Sequence, residues 1–240
     1  MNDLVRHWPS PIKNTSQVPS AVSVYRHALA AQPDRSVAIA SIGLLTNIQN
    51  LLQSEPDAHS PLSGLQLVAL KVKHIVVMGG AYPSSGTGPR GCNFCGCVFG
   101  NDPVSARAAS AAAAYVVAQM PSDVRMIFLG GEVGKQVQTG SRLSTCATPS
   151  NPCRQAYLDY LGGSGRSRYS WDPLTTLVAV RGVAAAGCAE CTDCDGVNRV
   201  DSNTGANAWV GGTPLNQTYL VMKDATFARN TIDDLLCQAV

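Results

Sequence analysis

Three short, largely apolar and β-branched runs, each closed by glycine, constrain this chain most. Residues 36–42 (SVAIASI) run into Gly43, residues 74–78 (HIVVM) into Gly79-Gly80, and residues 125–129 (RMIFL) into Gly130-Gly131. None is long enough to be a self-standing helix, and none shows the polar alternation of a strand with one wet face. Each therefore reads as a strand buried on both sides. Residues 219–222 (YLVM) form a fourth such run. Helical signals lie between them. Residues 20–31 place Val22, Tyr25, Arg26 and Leu29 on one face after Pro19-Ser20. Thr46 is positioned to cap a helix carrying Ile48, Leu51 and Leu52. Asp102-Pro103 opens an alanine-rich helix to about Gln119, residues 154–161 and 226–238 are helical, and Asp172-Pro173 opens a helix through Val180.

Buried strands alternating with helices predict an α/β fold: an open, mostly parallel sheet with helices on both faces. Ligands in such sheets bind beyond the carboxyl ends of the strands, where the three glycine stops fall. A loop rich in Gly, Ser, Pro and Cys over residues 81–101 follows one of them. No repeat or linker divides the chain, so 1–240 reads as one domain with the polar, cysteine-bearing stretch 186–214 as an insertion.

Charge narrows the function. Eighteen Lys+Arg face sixteen Asp+Glu, which leaves no basic excess to neutralise phosphates and argues against nucleic acid as a partner. No run approaches the roughly 18 apolar residues that span a bilayer, and Met1-Asn2-Asp3-Leu4 has neither the basic nor the apolar region of a signal peptide. Nine cysteines and two sequons, at Asn14 and Asn216, nevertheless favour a secreted location over the cytoplasm. Disulfides, free thiols and a metal all remain open for cysteines grouped at 92/95/97, 146/153, 188/191/194 and 237. Low charge is also compatible with a homo-oligomer.

Carboxylates are scarce where chemistry is expected. Only Glu55, Glu132 and Glu190 are glutamates, and no carboxylate lies between Ala58 and Asn101. His27 and His74 read as structural. Asp193, Asp195, Asn198 and Asp201 could offer oxygens to calcium, but their spacing fits an ordinary polar turn better. Asp172 before Pro173 has a plain reading as a helix cap, the grammar repeated at Asp102-Pro103.

The order of motifs adds a resemblance. Residues 40–48 (ASIGLLTNI), then Val77-Met78-Gly79-Gly80, then Asn93-Phe94 with Gly100-Asn101-Asp102-Pro103, then Trp171-Asp172-Pro173-Leu174 resemble successive landmarks of the inosine/uridine-preferring nucleoside hydrolases, most strongly over 20–182. The resemblance implies hydrolysis of the N-glycosidic bond of a ribonucleoside, with a Ca²⁺ holding the ribose hydroxyls and the attacking water. It implies Asp172 as a carboxylate ligand, Ile42 as a backbone-carbonyl ligand and Asn93 as a ribose contact. Trp171, where several members have a histidine acid, can stack on a base but not protonate it. The family's Asp-x-Asp segment with its general base has no match, and the ribose-binding Glu is replaced by Gly91 or, with the register anchored on Asp102, by Gly96, with Val98 then in place of the asparagine. The expectation is a domain lacking its first strand–loop–helix segment, with hydrolysis impaired or absent. The alternative is a catalytically inactive nucleoside- or ribose-binding or scaffold protein.

Overall fold

Period-two burial within the apolar runs builds the centre of the molecule. In a computed structural model, which describes residues 2–83, 91–212 and 216–238, Ile75 and Val77 face one side of the sheet and Val76 the other. Met126 and Phe128 likewise oppose Ile127 and Leu129. All of these are nearly or fully buried, as an interior parallel strand requires.

Along the chain, α1 (Asn2–His7) and α2 (Ala21–Ala30) precede β1 (Val37–Ser41), and α3 (Thr46–Leu52) and α4 (Gly64–Lys71) precede β2 (Val72–Met78). The one-turn α5 (Cys92–Cys95) and long α6 (Pro103–Gln119) lead to β3 (Arg125–Leu129). Then come α7 (Gly131–Gly134), β4 (Gln138–Thr139), α8 (Leu143–Cys146), α9 (Pro152–Leu161), β5 (Arg168–Tyr169) and α10 (Trp171–Arg181). The chain closes with β6 (Cys188–Glu190), β7 (Gly196–Val200), β8 (Asn207–Gly211), β9 (Gln217–Met222) and α11 (Ala225–Gln238).

The main sheet has the order β1-β2-β3-β9-β6. β1, β2, β3 and β9 are mutually parallel, while β6 joins β9 antiparallel through Cys188 opposite Met222. One face carries Leu29 of α2, Leu51 and Leu52 of α3, Leu67 of α4 and Val116 of α6. The other carries Leu174, Leu177 and Val178 of α10 with Ala228 and Ile232 of α11. The predicted two-sided α/β sheet is therefore present.

Several local expectations change. Thr46 is the first residue of α3, whose cap position is Leu45 with no side-chain bond. Asp172 is not a cap either: Ser170 holds that position, and its hydroxyl pairs with Thr139 instead of a helix N–H. Asp102 does cap α6, accepting from the amides of Val104 and Ser105. The loop over 81–101 contains α5 and a 3-10 turn at Cys97–Phe99, and its residues 84–90 lie outside the described residues. Within 186–214 the chain forms β6 and the β7–β8 hairpin, so much of the expected insertion is regular structure. Two of the hairpin's buried positions are the asparagines Asn198 and Asn207, where apolar residues would be expected, so it carries no apolar run like those of β1, β2 and β3. Asp201 there accepts from Asn203 and Thr204, the polar turn that its spacing suggests.

The cysteines form Cys92–Cys97, Cys146–Cys237 and Cys191–Cys194 disulfides, leaving Cys95, Cys153 and Cys188 free. Among the described residues no helix is long and apolar enough to cross a membrane.

Candidate functional site

The direction of α10 places its first residues. Near its end, the Ala179 carbonyl lies 3.3 Å from the ring Nε2 of His74, close to the start of β2. At its beginning, the Trp171 indole N–H donates to Gly131 O at 3.0 Å, just past the end of β3. The helix thus runs antiparallel to the strands, and its N-terminus lies at their carboxyl edge. Gly134 permits this approach, because a Cβ there would meet the Trp171 ring.

Trp171 and Asp172 line a cleft of about 430 Å³. Tyr157 and Tyr160 of α9, one helical turn apart, supply another wall, and Tyr169 packs its ring 5.2 Å from that of Trp171. Arg168 lies over the Tyr160 ring at 4.3 Å and donates to its hydroxyl at 2.6 Å. That cation–π contact and hydrogen bond fix the arginine on the rim. Leu4 of α1 completes the lining. Asp172 is exposed at the mouth of the cleft; the desolvation it does feel raises its carboxyl above the usual pKa, with the Arg168 charge opposing that shift. Among the described residues none donates to the Asp172 carboxylate.

Asn93 and Ile42 lie at the same edge of the sheet but do not line this cleft. Ile42 follows β1 directly and is 42% exposed. The Asn93 amide donates to Met78 O at 2.9 Å, so it ties α5 to the end of β2. Its neighbour Phe94 is fully buried beneath Gly79, where any Cβ would collide with the ring. Sequence reasoning missed Tyr157, Tyr160 and Tyr169. The three-residue spacing on one helix, and a ring two residues before Trp171, were the available signals.

A second network supports the edge. Asn207 of β8 accepts from Ala81 N at 3.0 Å and returns its amide to Ala81 O at 3.1 Å, while Asn198 of β7 donates to the Tyr82 hydroxyl at 2.9 Å. Glu132 accepts from Tyr82 N at 3.2 Å, and burial raises its carboxyl above the usual range.

No protein-family model and no curated protein sequence matches this chain. Solved structures do. A plant nucleoside hydrolase superposes with a TM-score of 0.62 at 17% identity, over 98% of this chain and 72% of the plant chain. A purine-preferring ribonucleoside hydrolase from Gardnerella vaginalis gives 0.63 at 16% identity, over 95% and 68%. This chain has a nucleoside-hydrolase fold.

Within that nucleoside-hydrolase fold, the donor set does not suit a resident Ca²⁺. Calcium takes six to eight oxygens, typically from several carboxylates. Among the described residues no three His, Cys, Asp or Glu side chains come together as a metal group. The loop over 81–101 has no carboxylate to add. Asp172 and the Ile42 carbonyl alone fall well short.

Proposed function

We propose that the cleft beside Asp172 binds a ribonucleoside, and that the N-glycosidic hydrolysis implied by the family resemblance is impaired or absent in this chain. The observation that carries this reading is an aromatic-walled cleft, at the carboxyl edge of a parallel sheet, with an unbonded carboxylate at a helix start. Flat heterocycles gain from stacking on Trp171 and the tyrosines. Asp172 offers acceptors for the sugar hydroxyls, and Arg168 is held on the rim by Tyr160. Asn93 acts on this reading by holding α5 against the end of β2. The two nucleoside hydrolases of similar fold act on this class of substrate, and one of them is purine-preferring.

Hydrolysis needs more than binding. It requires a base to activate water and charge stabilisation for an oxocarbenium-like transition state. Glu132 is folded back onto Tyr82 N and does not line the cleft. Trp171 has no proton to give at neutral pH. Adenosine titrated calorimetrically into the protein should bind, and Trp171→Ala should weaken it by about tenfold or more. Trp171→Phe should recover most of that loss by retaining a stacking ring. Release of free ribose should stay near the buffer rate. Rapid ribose release would overturn the impaired-hydrolysis part, and absence of adenosine binding would overturn the whole reading.

A further inference from the structure

We propose that His27 and His59 form a surface site for a divalent transition-metal ion of the zinc class, in which two imidazole nitrogens hold the ion and water fills its remaining positions. The site lies on α2, which packs on the opposite face of the sheet from α10, so it stands independently of the nucleoside-cleft reading.

One helix face supplies the first ligand, and the fold brings the second to it. Ser23 and His27 are four residues apart on α2 and so share one face of that helix. The segment between α3 and α4 folds back over this face, with the ring Nε2 of His59 3.1 Å from Ser23 Oγ. The imidazole rings of His27 and His59 then lie 5.2 Å apart, centre to centre, and are inclined by 66°. Both residues are exposed.

That separation is the one a shared ion requires. With a zinc–nitrogen bond of about 2.05 Å, each ring centre lies about 3.2 Å from the metal, and two rings at the tetrahedral angle stand about 5.2 Å apart. Exposed imidazoles turn broadly about their last torsion, which lets a nitrogen of each reach the common point. Imidazole suits zinc, copper and nickel, whereas calcium and magnesium take oxygens.

His59 is held in place before any ion arrives. Its amide donates to Asp57 Oδ1 at 3.0 Å, and Asp57 and Ser60 exchange backbone hydrogen bonds of 3.0 and 3.2 Å. Asp57 is in turn gripped by the buried guanidinium of Arg26, the residue before His27 on α2. The turn is thus anchored to the helix that carries the other ligand, and little ordering entropy opposes binding. With Asp57 engaged by Arg26, no third His, Cys, Asp or Glu joins the pair among the described residues, so the ion stays open to water and exchangeable. Glu132 Oε2, buried without a hydrogen-bond partner, is closed to solvent and offers an ion one oxygen alone. The histidine pair presents two nitrogens at the surface.

Calorimetric titration of zinc chloride into the full chain, freed of metal with EDTA and dialysed, tests the site. Zinc should bind, and His27→Ala and His59→Ala should each weaken binding by about tenfold or more. The double variant should bind no more than about threefold more weakly than either single one, because a shared ion is lost with its first ligand. On the unaltered chain, carbethoxylation read by mass spectrometry should show zinc protecting His27 and His59 together while the exposed His7 stays reactive. That arm stands even if a variant fails to fold. Zinc affinity unchanged within about twofold in both single variants would overturn the site, as would absence of zinc binding at about 1 mM. Undiminished modification of His27 and His59 at saturating zinc would overturn it as well.

Discussion

Arg26, only 1% exposed, is held by four different groups beneath α2. Its guanidinium donates to Ser54 Oγ, Ser60 O and Leu62 O, and its Nε lies 2.8 Å from the Asp57 carboxylate. That guanidinium is the main reason the Asp57 carboxyl is lowered to about 2. A carboxyl with a depressed folded-state pKa stabilises the fold above its unfolded value of about 4. This contribution fades as pH falls through that value and is gone below about 2. The melting temperature should therefore drop between about pH 4 and pH 2, and Asp57→Asn should show a shallower drop over that interval. Differential scanning calorimetry across the interval checks it. At this scale the helix face carrying Arg26 was legible, because its spacing with Val22, Tyr25 and Leu29 is helical. Its partners were not: Ser54, Asp57, Ser60 and Leu62 lie about thirty residues on, in a segment without periodicity.

The β7–β8 hairpin is the element that holds Ala81 and Tyr82, just past the end of β2. Asn207 satisfies both the N–H and the C=O of Ala81, substituting for a strand partner at a point where the sheet has ended. Truncating it leaves those backbone groups short of partners. Asn207→Ala should cost about 1–3 kcal/mol in urea unfolding. Asn203→Ala, at an exposed turn of the same hairpin, should stay within about 0.5 kcal/mol. Equal effects at the two positions would contradict the role given to Asn207. β1, β2 and β3 are readable as short continuous apolar runs, and the buried asparagines leave this hairpin without such a run. The start of α10 was misread for a related reason. Asp-Pro does open many helices, but here the proline is the third helical residue and the cap position lies two residues before the aspartate.

For the whole molecule, long-range connections decide what sequence can reveal. The parallel sheet was legible because each strand carries its own signature. The aromatic cleft was not, because Tyr157, Tyr160, Tyr169 and Trp171 meet through a glycine-rich connection that a linear reading leaves as an ordinary loop. The disulfide pairing was also closed to sequence alone. Cys146–Cys237 fastens α8 to the end of α11 across 91 residues. Loop-closure entropy assigns such a crosslink about 4.6 kcal/mol, against about 2 kcal/mol for the five-residue separation of Cys92–Cys97. The Cys146→Ser/Cys237→Ser double variant should lose several kcal/mol in chemical unfolding. Cys153→Ser, which removes an exposed free thiol, should lose almost nothing.

A crystal structure of this protein grown with adenosine tests the account most directly. The account predicts the base stacked on Trp171 between the tyrosines of α9 and Tyr169, with both ribose hydroxyls within hydrogen-bond distance of the Asp172 carboxylate. A nucleoside lodged elsewhere on the molecule, with this cleft empty at saturating adenosine, would contradict it.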